Sequence, residues 1–218
     1  MDNLDNTFSD AQKQHINIMR LIAESLNDTP MVLKGGTALM LAYGLDRYSE
    51  DLDFDSTKAI SLEKRVKGAL RTTRINVKEI FVKKDTETVK RWMIQYSGPA
   101  GLGSLKVEVS FRKESIDADS YTMVGGIKVY KISELIEQKL IAASDRCKIR
   151  DLYDLAFLSR EKPAHFSGKS RTALQILTAD LNDLYSRYEA DHAEDSILKG
   201  EDLEDLVLTL QQSAEELM

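Results

Sequence analysis

Three aspartates within five residues, Asp51, Asp53 and Asp55, alternate with Leu52 and Phe54, and no other run in the chain restricts its folding as strongly. The alternation has the period of a β-strand, which puts the carboxylates on one face and the apolar side chains on the other. The apolar face demands a core. The carboxylate face cannot join it, because unpaired buried charge costs several kcal/mol. It needs water or cations. Carboxylates at i and i+2 suit magnesium, a hard ion that takes oxygen ligands and leaves positions open for phosphates; an exposed edge strand with mutually repelling acids is the plainer alternative.

The residues just upstream bear on that choice. Met31-Val32-Leu33 reads as a short strand, Gly35-Gly36 as a turn, and Thr37 to Tyr43 as a helix closed by Gly44. Paired glycines often do no more than turn the chain. Here they also let backbone approach a ligand, with Thr37 offering an N–H and a hydroxyl at a helix start, which makes an anion seat. Before this unit, Ser9 stands as the N-cap of an amphipathic helix over 10–27. After it, a helix is predicted over 61–71 and strands over 76–83, 89–97 and 105–111, with Gly98 to Gly103 turning the chain before the last. Beyond Gly125-Gly126 the pattern predicts helices over 132–145, 150–159, 170–189 and 201–217, with Ser133 and Ser170 near their starts, and no further strand. The expected fold class is α+β: an α/β-like core, residues 1–126, with a mixed sheet flanked by helices, then a C-terminal helical domain, residues 127–218.

Composition narrows function by exclusion. Cys147 is the single cysteine, so no intramolecular disulfide or cysteine zinc site is available. The first residues lack the basic and apolar regions of a signal peptide, and no apolar run is long enough for a membrane span, which predicts a cytoplasmic protein without membrane function. The net charge of -6 hides an asymmetry: residues 58–113 carry 14 Lys and Arg against 5 Asp and Glu, whereas residues 161–218 carry 5 against 13. The basic segment is either a solvated face or a surface for polyphosphate or RNA. His15, His165 and His192 are too scattered for a metal site. Trp92, Tyr96 and Phe111 read as core, and the Leu203, Leu206, Val207 and Leu210 stripe as a packed helix face.

Two runs then become recognisable together. Leu33-Lys34-Gly35-Gly36-Thr37-Ala38-Leu39, followed by Arg47-Tyr48-Ser49-Glu50-Asp51-Leu52-Asp53-Phe54, resembles the AbiEii/AbiGii-type nucleotidyltransferases of the DNA polymerase β-like superfamily, with Thr37 where many members have serine. Val107-Glu108-Val109 resembles the later strand that brings a third carboxylate, and Lys139 with Arg150-Asp151-Leu152-Tyr153-Asp154-Leu155 resembles the family's helical motifs. Residues 160–218 match no motif.

The resemblance implies a nucleotidyltransferase that moves a nucleotide from an NTP to an acceptor, the tRNA 3′ end in at least some members, as the toxin of a toxin–antitoxin or phage-defence pair with a cognate antitoxin. It implies a two-metal mechanism in which Asp51, Asp53 and Glu108 bind magnesium, with manganese as the alternative ion. Lys34, Gly35, Gly36, Thr37, Arg47 and Ser49 would bind the NTP, Lys139 would meet charge on the pyrophosphate, and Asp154 would orient the lysine or the attacking hydroxyl. For Asp154 a pairing with Arg150 one helical turn away is the structural alternative, and Arg47 could simply balance nearby acids. In this reading the helical domain completes the active site. Two other functions stay open: a nucleotide-binding or protein-interaction module without catalysis, and nucleotidylation of a protein hydroxyl.

Overall fold

A computed structural model describes residues 8–198 and 200–217. The chain divides into two compact units, Met1–Tyr130 and Lys131–Met218.

The first unit is built on a mixed seven-stranded sheet. Its strands are β1 (Val32–Lys34), β2 (Asp51–Asp55), β3 (Asn76–Asp85), β4 (Val89–Gly98), β5 (Gly101–Ser110), β6 (Tyr121–Val124) and β7 (Ile127–Tyr130), in the order β3-β4-β5-β2-β1-β7-β6. β2 runs parallel to β5 and β1 runs parallel to β7; the remaining neighbours are antiparallel. One face is apolar. Leu52 and Phe54 of β2, Trp92, Ile94 and Tyr96 of β4, and Leu105, Val107 and Val109 of β5 are buried there, as the alternation requires. Helices α1 (Asp10–Glu24) and α3 (Leu62–Leu70) supply Ile18, Met19, Ile22, Leu62, Val66 and Leu70 to the same core.

The N-terminus of α1 is fixed as expected, and more fully: Ser9 accepts from the Gln12 N–H while the Gln12 side chain accepts from the Ser9 N–H, a reciprocal capping box. Inside α1, buried His15 ties the helix to the carboxylate strand. Its Nε2 lies 2.8 Å from the Glu50 carbonyl and its Nδ1 2.5 Å from the Tyr96 hydroxyl. A carbonyl only accepts, so Nε2 carries the proton and Tyr96 donates to Nδ1. Burial holds the His15 pKa below its ordinary value, against the opposing pull of the Glu50 carbonyl and the charges of Asp51 and Glu50. The ring is a neutral clamp on the residue before Asp51. Tyr96 in turn lies on Gly103, where an added Cβ would come within 2.3 Å of its ring. The glycine in β5 makes room for the aromatic ring across the ladder.

The structure departs from the sequence reading at several places. Gly98 and Gly101 pair directly, so the turn is only Pro99-Ala100 and β5 begins within the predicted glycine loop. Gly125 and Gly126, both at positive φ, turn a hairpin between β6 and β7 instead of closing the sheet region. The expectation of no strand beyond them is therefore corrected: β7 is short, but its Leu33–Val129 pairing places it inside the sheet between β1 and β6, where Ile127, Val129 and Tyr130 are buried. Four residues are too few to register as a period.

The second unit is helical. It contains α4 (Ile132–Asp145), α5 (Ile149–Glu161), α6 (Gly168–Leu177), α7 (Leu181–Glu194) and α8 (Leu203–Glu216). α5 is its centre, packed by α4, α7 and α8, and it buries Leu152, Leu155, Ala156, Phe157 and Leu158. The single helix expected over 170–189 is two helices. Asp180 accepts from the Asn182 and Asp183 N–H groups and starts α7, while Thr178 bonds back to the Leu174 carbonyl and ends α6. Ser133 and Ser170 lie within first turns; the cap of α6 is Ser167, whose hydroxyl accepts from the Ser170 N–H. Leu203, Val207 and Leu210 are buried. Among the described residues no helix is long and apolar enough to cross a membrane.

Candidate active site

β1, a tight turn and β2 bring the predicted phosphate-binding and metal-binding residues together. A helix, α2 (Gly35–Ala38), opens directly on β1 and continues through a wider helical turn, Leu39–Tyr43, to Gly44 at φ 83°. Gly35 has φ 74°, a left-handed conformation that glycine adopts without strain, and the Asp53 carboxylate lies beside it. A Cβ on Gly36 would stand 2.4 Å from an Arg47 guanidinium nitrogen. The second glycine therefore admits Arg47. That side chain is 6% exposed, and its Nη1 donates to the Tyr48 carbonyl at 3.0 Å. Gly36→Ala is expected to push the guanidinium off the turn at a cost of about 1–3 kcal/mol, read as a lower midpoint in denaturant. An unchanged midpoint would mean that Arg47 moves aside freely.

Thr37 is buried, and its hydroxyl donates to the Asp51 carbonyl. Ser49 Oγ lies 2.6 Å from Thr37 Oγ, and since the Thr37 proton is committed to a carbonyl, Ser49 donates to Thr37. The two hydroxyls thus pin the glycine turn to the start of β2. What the turn can offer an anion is backbone N–H.

The carboxylates follow from register. Asp53 pairs with Glu108 across the parallel β2–β5 ladder, and Asp51 pairs with Lys106. Paired residues share a face, so Asp51, Asp53, Lys106 and Glu108 stand together opposite the apolar core. One strand further, Arg91 of β4 pairs with Glu108, and Lys84 of β3 with Arg91. Lys106 Nζ is 2.6 Å from Asp51, and Arg91 holds Glu108 through Nη2 at 2.5 Å and Nε at 2.7 Å. The Asp53 pKa is pushed up, first by burial, with repulsion from Asp51 and Glu108 adding to it and attraction to Lys106 and Lys34 opposing it. Its charge is the unrelieved one.

These residues fit a divalent cation by chemistry. The donors are all carboxylate oxygens on adjacent strands, and the raised Asp53 pKa marks a point where positive charge is favoured. Among the described residues no three His, Cys, Asp or Glu side chains already converge as a ligand cluster; Lys106 and Arg91 each hold one of the three carboxylates. From sequence Arg91 belongs, with Lys83, Lys84 and Lys90, to the basic segment expected to meet acceptor phosphates, whereas its pairing with Glu108 and the pairing of Lys106 with Asp51 lie outside that reading. Lys106 was legible, since it lies two residues before Glu108 and so shares its face. Arg91 depends on strand register, which sequence does not provide.

Asp55 has a different fate. It is 4% exposed and takes Lys34 at 2.5 Å, the Tyr130 hydroxyl at 3.0 Å and Lys113 at 3.6 Å. This network belongs to the fold, and it occupies Lys34.

Lys139 and Asp154 lie in the helical unit. Lys139 Nζ is 2.5 Å from Asp154 and 2.7 Å from Asp151, which Arg146 also holds. Lys139, Asp151 and Asp154 are 6%, 2% and 0% exposed. Burial raises the Asp151 pKa, but Lys139 and Arg146 outweigh it and the net shift is downward. Arg150, the alternative partner for Asp154, is bound to Asp195 at 2.6 Å.

Comparison with known proteins bears on the whole chain. The family described as nucleotidyl transferase AbiEii toxin, type IV TA system, matches residues 18–215. The fold is similar to that of JHP933 from Helicobacter pylori, at 39% identity and TM-score 0.90, over 96% of this chain and 93% of that one. It is similar also to a candidate nucleotidyltransferase from H. pylori, at 39% identity and TM-score 0.89, over 96% of each chain. A comparison with curated proteins gave no match.

Proposed function

The chain belongs to the AbiEii nucleotidyltransferase toxin family of type IV toxin–antitoxin systems, and from that premise we propose that it transfers a nucleotide from an NTP to the 3′ end of a tRNA, with magnesium or manganese held by Asp51, Asp53 and Glu108. The family implies an NTP substrate and a cognate antitoxin; the proposal adds the metal, the acceptor and a role in phage defence. The observation that carries it is the in-register pairing of Asp53 with Glu108 on parallel strands, with Asp51 on the same face and the Gly35 turn against Asp53.

In this reading the cation, when bound, supplies charge to the triphosphate and lowers the pKa of the acceptor hydroxyl. The chain's own part is positional. The N–H groups at Gly36 and Thr37 grip phosphate oxygens, Arg47 lies against the same turn, and Ser49 and Thr37 lock that turn to β2. His15 holds Glu50 and so fixes where Asp51 begins.

The acceptor would approach over β4 and β3, where Arg91 and Lys84 extend the carboxylate face. Lys90 serves a different surface: it pairs with Asp85 and lies over the Trp92 ring. The basic segment is thus divided between two faces, and only part of it can meet an RNA bound at the site.

The test is incubation of the purified protein with each labelled NTP, magnesium and total tRNA, with resolution of the labelled product. Label on RNA is the expected result. Label on protein would make a protein hydroxyl the acceptor, and NTP binding without any transfer would leave a nucleotide-binding module.

A further inference from the structure

Lys106 and Arg91 border the proposed metal site without being ligands in it. Each is paired with a proposed metal ligand, and both project from the sheet face that a substrate would cross. The pairs are partly open to solvent: the side chains are 32% and 37% exposed for Lys106 and Asp51, and 32% and 27% for Arg91 and Glu108. Ion pairs at such exposure are weak and readily exchanged. The contrast within the molecule is clear. Asp55 is 5% exposed in its pair with Lys34, and the Lys139 pairs are almost fully enclosed, so those are fixed parts of the fold.

Charge decides what happens when a divalent cation arrives. Asp51, Asp53 and Glu108 are three carboxylates balanced by two monovalent cations. A divalent ion that takes two or three of the carboxylates competes with Lys106 for Asp51 and with Arg91 for Glu108, and it binds oxygen ligands more strongly than an ammonium or guanidinium does in this setting. Released, the two side chains carry positive charge beside the place where phosphates must lie. Arg91 brings a planar fork suited to a phosphate, and Lys106 a mobile point charge.

We propose that Lys106 and Arg91 are phosphate-binding residues held in reserve: they neutralise Asp51 and Glu108 before the cation binds and transfer to substrate phosphates once it has bound. This rests on Asp51, Asp53 and Glu108 being the metal ligands. The phosphates could belong to the NTP or to the acceptor backbone, and the two sources separate experimentally.

The experiment is a set of binding titrations on the whole protein. With Mn²⁺ alone, followed by electron paramagnetic resonance, Lys106→Met and Arg91→Met should each tighten binding about three- to fivefold by removing a competitor. Lys84→Met removes a charge one strand further out and should leave Mn²⁺ affinity unchanged. If it tightens binding as much as Lys106→Met does, the general field and not the ion pair is responsible, and the proposal falls. At saturating Mn²⁺ the same two variants should weaken binding of a non-hydrolysable NTP analogue or of a short single-stranded RNA about tenfold. Loss for the analogue assigns the side chain to the triphosphate, and loss for RNA assigns it to the acceptor. Wild-type affinity for both ligands overturns the proposal. Asp53→Asn keeps the two levels apart: Mn²⁺ binding as tight as wild type in that variant overturns the metal site itself. Abolished binding there, with no tightening in Lys106→Met or Arg91→Met, overturns the exchange alone.

Discussion

Asp53→Asn is expected to abolish nucleotide transfer while leaving the protein more stable than the wild type. The two effects have one cause. Asp53 lies beside Asp51 and Glu108 in a partly buried position, and its pKa is raised by that burial and by its acidic neighbours. A carboxyl whose folded pKa exceeds its unfolded value binds its proton more readily in the native state, so its contribution to stability is present at low pH and lost as pH rises through the folded pKa. Once ionised, the group is therefore a cost to the fold. The amide removes the cost, and the melting temperature should rise by roughly 2–4 °C, the shift that ~1 kcal/mol produces in a chain of this size. The same substitution removes the central proposed cation ligand, and transfer should fall by about 10³-fold or more, equivalent to ~4 kcal/mol of transition-state stabilisation. Thermal melting without metal and a single-turnover transfer assay would check both. A variant that melts lower and still transfers would assign Asp53 to the fold.

The same residues indicate how far a sequence can be read. Alternation along Asp51 to Asp55 was enough to separate a carboxylate face from an apolar face, and the structure keeps that separation. Equal spacing did not imply equal roles. Asp55 sits on the same face, yet Lys34, Tyr130 and Lys113 enclose it, and two of those three partners come from residues 58 or more positions away. The sheet order has the same character. Placing β2 between β1 and β5, and Arg91 opposite Glu108, depends on pairings between distant segments that no local period encodes. The break at Thr178 to Asp180, by contrast, has a local signal in the aspartate cap after a threonine, although the reading over 170–189 is of one helix. Apolar spacing on both sides was continuous enough to obscure it. Within the glycine turn, sequence indicated a close approach but not by what: Arg47 fills the space at Gly36, and only three-dimensional packing could supply that.

Lys139→Met should produce the largest loss of stability of any single change considered for this chain. The lysine is the shared counter-ion of Asp151 and Asp154, both almost wholly buried in the helical unit. Removing one partner of a buried ion pair leaves the remaining charge uncompensated at a cost of about 3–5 kcal/mol. Arg146 still holds Asp151 and moderates that cost. That destabilisation would make any loss of activity in Lys139→Met uninformative about catalysis. The double variant Lys139→Met with Asp154→Asn separates the two roles, because it withdraws a buried negative charge together with the cation and should recover part of the lost stability. If the double variant folds and binds NTP but transfers slowly, the lysine acts on charge that develops in the transition state, as the family resemblance implies. If it folds and transfers at the wild-type rate, Lys139 is a structural cation. Acid titration gives an independent check on the network. Asp151 is held below its ordinary pKa, so its contribution to stability is present above the usual aspartate range and disappears as pH falls through the folded value. Wild-type protein should lose stability steeply below about pH 4, and Lys139→Met less steeply, since the attraction that lowers the pKa has been removed. Parallel acid-unfolding curves for the two proteins would show that the Lys139 ion pairs add nothing to the native state.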